Sequence, residues 1–137
     1  MAIHTTEIII NASAEKVFEA LTQPELIRRW QFNRMLLTDW KAGSQIKFRT
    51  ETEGKITEQW GTVLEVKKNE LVKYNLFTPR PDMADIIENY AVTSYVITAK
   101  NGQTSVAIIQ EDNRPSGFTP LNLEPILLSL KKVVETN

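Results

Sequence analysis

A chain of 137 residues with 42% hydrophobic and 24% charged content has material for one domain with a sizeable core and too little for two. That balance excludes a disordered chain, and a formal net charge of -1 without a basic stripe excludes the usual nucleic-acid binder. With no cysteine and a single histidine, His4, disulfides, thiolate catalysis and histidine-based metal sites lack material, so no metal or cofactor is expected.

The first predicted element is a strand in "IHTTEIII", which alternates around Ile8 and Ile10 and is rich in β-branched residues. Its apolar run is far too short for a signal or a membrane span, so a cytoplasmic protein without membrane insertion is expected. "NASAEKVFEALTQPELIRRW" then reads as two short helices. Ser13 is the N-cap of the first, Glu15 suits its dipole, and Val17, Phe18 and Leu21 repeat at helical spacing. Pro24 breaks that helix and introduces a second, Glu25 to Trp30. Residues 31–43 show no clear period.

"SQIKFRTET" alternates as a half-buried strand, with Ile46 and Phe48 facing inward. In the next stretch, Lys55 to Val66, residues Ile56, Trp60, Thr62, Leu64 and Val66 share a parity with one carboxylate, Glu58. A three-residue turn, Glu53-Gly54-Lys55, keeps both apolar sets on one face and sets Thr50 against Glu58 and Phe48 against Trp60. A loop at Lys67-Lys68-Asn69 then sets Leu64 against Val72, Thr62 against Tyr74 and Trp60 against Leu76, in a strand of about Glu70 to Phe77.

After "TPRPDMADIIEN", too broken for a strand, Asn101-Gly102 centres the most secure hairpin. It pairs Ile97 with Val106, Tyr95 with Ile108 and Thr93 with Gln110, on the inward face. The chain closes with an amphipathic helix whose apolar face holds Leu123, Ile126, Leu127, Leu130, Val133 and Val134. Pro125 belongs in its first turn or kinks a helix begun nearer Thr119.

Strand, two short helices, five strands in meander and a long closing helix resemble the helix-grip fold of the START and polyketide-cyclase superfamily (SRPBCC). The resemblance is closest to the branch named for the activator of heat-shock protein 90 ATPase. It rests on "INASAEKVFEALTQPELIRRW", Gly43, "WGTVLEV", "NGQTSVAIIQE" and the last helix, and it covers nearly the whole chain. It implies one domain over residues 1–137: an α+β fold whose curved, six-stranded antiparallel sheet wraps the last helix. It also implies a cavity between sheet and helix, open or filled by large side chains.

The expected lining is Phe48, Glu58, Trp60, Tyr74, Tyr95, Ile108, Gln110, Leu123 and Leu127. Glu58 is the candidate catalytic group, because a buried carboxylate must meet water, a donor or a ligand; alternatively it reaches solvent near the sheet edge. Tyr74 and Tyr95 either donate to a ligand or rest as core with hydroxyls at the rim. Trp30, Phe32 and Trp40 either line a pocket mouth or pack the irregular segment down, while Leu128 either is incidental or contacts a second copy.

The leading functional expectation is a non-enzymatic protein that holds a small apolar or amphipathic molecule, as monomer or homodimer. The alternatives are a cyclase or dehydrase using Glu58 with a tyrosine and a chaperone-interacting domain, the last by fold analogy alone.

Overall fold

The β-branched amino-terminal run forms β1 (Ala2–Ile10). Ser13 then caps α1 (Ala14–Thr22), its Oγ accepting the Lys16 N–H at 3.2 Å. One orphan donor of the first turn is thereby satisfied, and Glu15 complements the positive end of the helix dipole. Pro24 opens α2 (Pro24–Trp30), where its missing N–H costs nothing. The structure is a computed structural model that describes residues 2–31, 34–112 and 124–136.

Beyond the helices come β2 (Met35–Leu37), β3 (Gln45–Thr52), β4 (Lys55–Lys67) and β5 (Leu71–Leu76). A 3-10 turn (Ile87–Asn89), β6 (Ala91–Lys100), β7 (Gln103–Asp112) and α3 (Glu124–Thr136) follow. The strands form one antiparallel sheet in the order β1-β7-β6-β5-β4-β3-β2. The fold is α+β, as expected, but the described residues form seven strands instead of six. The addition is β2, whose three residues are too few to show alternation in the sequence.

β1 and β2 follow each other in the chain yet occupy opposite edges of the sheet, so α1 and α2 carry the chain between them. The buried face of these helices (Val17, Leu21, Ile27) joins Ile46, Val63, Val72 and Ile108 of the strands in one apolar cluster. Each such side chain contributes about 1.5–3 kcal/mol when fully withdrawn from water. α3 packs on β1, α1 and α2 and adds Leu127, Leu130 and Val134 to the cluster. Its Pro125 lies in the first turn described. Lys131 ties the helix to the sheet: Nζ donates to the Ile9 carbonyl at 2.9 Å and pairs with Glu135 at 2.9 Å.

The registers decide which side chains face the helices. In the β6–β7 hairpin Asn101 and Gly102 adopt φ 45° and 82°, and Ile97↔Val106, Tyr95↔Ile108 and Thr93↔Gln110 pair as expected. The β3–β4 hairpin departs from expectation. Glu53 and Gly54, at φ 51° and 79°, form a two-residue turn, so Thr52 opposes Lys55 and the whole register moves by one. Phe48 now faces Gln59, Lys47 faces Trp60 and Arg49 faces Glu58. Because side chains alternate, this slip exchanges the two faces of β4.

A second irregularity lies farther along β4. Val63 pairs Tyr74 but Glu65 pairs Lys73, so Leu64 is an extra residue in a β-bulge. Val63 and Val66 both point inward across it, while Leu64 is exposed. The even-numbered apolar set that looked like one face is thus split between two. The turn into β5 also shifts: Lys67 pairs Leu71, and Phe77 rather than Leu76 bridges Trp60.

Candidate functional site

Leu36 of β2, Phe48 of β3 and Gln59 of β4 stand in one row across the inner face. Arg34, two residues before Leu36, shares its parity, and its guanidinium lies over the Phe48 ring at 3.9 Å from the centroid. Its Nη1 donates to Gln31 Oε1 at 3.0 Å, and its Nη2 donates to Gln59 Oε1. The other end of the Gln59 amide donates to Thr78 Oγ1 at 2.7 Å, which fixes its oxygen toward the cation. Among the described residues no carboxylate lies within ion-pairing distance of Arg34. Burial holds the guanidinium below the usual arginine range, with Tyr74 and Tyr95 close enough to act in the opposite sense.

Next to Arg34 the inner face is aromatic. Phe48 and Tyr74 have ring centroids 5.7 Å apart, Tyr74 and Tyr95 6.4 Å, and Trp30 meets Tyr95 edge-on at 6.3 Å. Tyr74 is only 4% exposed and Tyr95 7%. Burial raises both phenols above the ordinary range, Tyr95 well above it, and the nearby Arg34 acts against both shifts.

Two indoles hold this wall in place. Trp30 Nε1 donates to the Ala20 carbonyl at 2.7 Å, and Trp40 Nε1 donates to the Thr22 carbonyl at 2.8 Å. These are carbonyls of the last turn of α1, which have no partner within the helix. Trp30 is fully buried in the main cluster, and Trp40 packs on Tyr74 at 6.2 Å. The side chains that close the helix end therefore also set the position of the tyrosines.

Of the residues expected to line a cavity, Phe48, Tyr74, Tyr95, Ile108 and Leu127 lie in the inner cluster. Gln110 has the same inward parity, beside Thr93 and His4 at the far side of the sheet, and is half-buried. Leu123 and Phe32 lie outside the described residues.

Glu58 and Trp60 are corrections. The two-residue turn carries both to the outer face, where the Glu58 side chain is 38% exposed and pairs with Lys47 Nζ at 3.8 Å. Such a pair is worth about 0–1 kcal/mol and removes any need for a buried partner. Trp60 packs on Phe77 at 5.6 Å, Phe77 on Tyr90 at 5.5 Å, and Asp85 accepts from Trp60 Nε1 at 3.1 Å and from the Tyr90 hydroxyl at 2.5 Å. This is a separate outer cluster that pins the segment before β6.

Arg34 was not singled out from the sequence. It sits in the stretch without period, and the only signal was its even spacing from Leu36 in a strand of three residues. As for metals, the described residues contain no group of three or more histidine, cysteine or acidic side chains placed to hold one. No described helix is long and apolar enough to cross a membrane.

The arrangement is therefore a donor-rich polar patch, one cation and two phenols, set in an aromatic wall beneath the helices. The family model described as "Activator of Hsp90 ATPase homolog 1-like protein" matches residues 11–132. A protein of Cytophaga hutchinsonii solved in solution is 32% identical, with TM-score 0.71, over 96% of this chain and 86% of that one. The Aha1 dimer from Colwellia psychrerythraea is 20% identical, with TM-score 0.70, over 98% and 97%. PFC0360w of Plasmodium falciparum, described as an HSP90 activator, is 15% identical, with TM-score 0.65, over 85% and 76%. No curated protein matches.

Proposed function

The chain belongs to the Activator of Hsp90 ATPase homolog 1-like family, and from that premise we propose that it binds a small apolar or amphipathic molecule between the inner face of the sheet and α3. The observation that carries this reading is the pair of buried tyrosines, Tyr74 and Tyr95, within an otherwise aromatic and aliphatic wall. Burying a hydroxyl without full hydrogen bonding costs on the order of 1–3 kcal/mol. A wall selected only for packing would place phenylalanine at these positions. Small-molecule sites, by contrast, combine an apolar lining with a few convergent polar groups that orient the ligand.

The lining is Phe48, Tyr74, Tyr95, Ile108 and Leu127, with Gln110 at its edge. Glu58 and Trp60 have no part in it, because they face the opposite side. Acid–base chemistry centred on Glu58 loses its basis with them, so binding is favoured over catalysis.

Native mass spectrometry of the purified chain, joined to analysis of its organic extract, tests the reading. The expected result is a bound mass of a few hundred daltons that mild activation releases. Bare protein alone, with no change in tryptophan fluorescence when apolar probes are added, overturns it.

A further inference from the structure

Among the described residues Arg34 meets neutral partners: the amides of Gln31 and Gln59 and the Phe48 ring. Arg34 brings a fixed positive charge and more N–H groups than the two amide oxygens of Gln31 and Gln59 can accept. The hydroxyls of Tyr74 and Tyr95 add further donors, both close enough to Arg34 to feel its charge. A half-buried cation held by neutral amides and an aromatic face is incompletely compensated, since ring and amide dipoles offset only part of its lost hydration.

We propose that Arg34 recognises an anionic head group, a carboxylate, on the small molecule whose apolar body lies along the tyrosine wall. The proposal rests on the ligand-binding reading above and narrows its ligand class to amphipathic acids.

Each part of the geometry fits that role. A carboxylate matches the planar fork of a guanidinium and takes parallel hydrogen bonds from it. Gln59, oriented by Thr78, and Phe48 beneath the guanidinium plane restrict the side chain before any ligand arrives. That restriction lowers the entropy lost on binding. The Tyr74 and Tyr95 hydroxyls can donate to the same head group, and the Arg34 charge prefers an acid over an alcohol of equal length.

Titration of the full chain with decanoate and with decanol at pH 8, followed by tryptophan fluorescence, tests the proposal. Decanoate is expected to bind about tenfold more tightly or better, the discrimination that a charge-assisted hydrogen bond supplies. Arg34→Gln is expected to abolish the preference, bringing the decanoate-to-decanol affinity ratio to about one; Arg34→Lys retains part of it. The wild-type ratio needs no variant, so the test survives any variant that does not fold. Equal binding of acid and alcohol by the wild type, or an undiminished preference in a folded Arg34→Gln, overturns the role of Arg34 and leaves ligand binding standing. Binding of neither probe overturns both.

Discussion

Gly61 lies on β4 where β5 comes closest: a Cβ built there would stand 1.9 Å from the Asn75 carbonyl oxygen. The same neighbour turns its side chain into the ladder, Asn75 Oδ1 accepting the Thr62 N–H at 2.7 Å. Gly61→Ala must therefore push the strands apart, and overpacking of this kind costs about 1–3 kcal/mol. A urea midpoint lowered to match is the expected result. A second residue-scale effect concerns pH. Burial raises both inner phenols, so the folded chain keeps protons that the unfolded chain releases near pH ~10. The associated stability is fully present below that pH and is lost as pH rises through the folded values. Arg34, which faces both hydroxyls, offsets a part of the shift. Tyr95→Phe removes the larger contribution, so its urea midpoint should fall less steeply between about pH 9 and 11 than that of the wild type. Parallel slopes would show that Tyr95 does not titrate as its burial requires.

At the scale of elements, the two hairpins show what was legible and what was not. Asn101-Gly102 names its own turn, because both residues tolerate positive φ, and the β6–β7 register followed correctly from it. Glu53-Gly54 adopts the same kind of turn with a glutamate at φ 51°, where a side chain of that type is not favoured. The apolar parity of β4 argued for the wrong turn, since the bulge at Leu64 merges two faces into one apparent alternation. Glu53→Asn should relieve the strain and raise stability by about 0.5–1 kcal/mol, measured by thermal or urea unfolding. A three-residue turn would show no such gain, so this substitution also tests the register that moves Glu58 outward. The strand β2 and its neighbour Arg34 escaped for a different reason. Three residues carry too little pattern, and the burial of a cation depends on partners far away in the chain, here Phe48 and Gln59.

For the molecule as a whole, the order of elements and the inward faces of β3, β6 and β7 were readable from periodicity, and the family match spans residues 11–132. The site was readable only in part. Its tyrosines lie on strands with clean alternation, whereas its charge comes from an irregular segment that the fold, not the local sequence, turns inward. Among the described residues two aromatic clusters result, one beneath the helices around Tyr74 and Tyr95, the other outside around Trp60, Phe77 and Tyr90. NMR chemical-shift mapping of the full chain during titration with decanoate tests the proposed ligand binding at the inner cluster most directly. The largest shifts are expected at Arg34, Phe48, Gln59, Tyr74 and Tyr95, with Glu58 and Trp60 unmoved. A response centred on Trp60, Phe77 and Tyr90, or no saturable response at all, would contradict it.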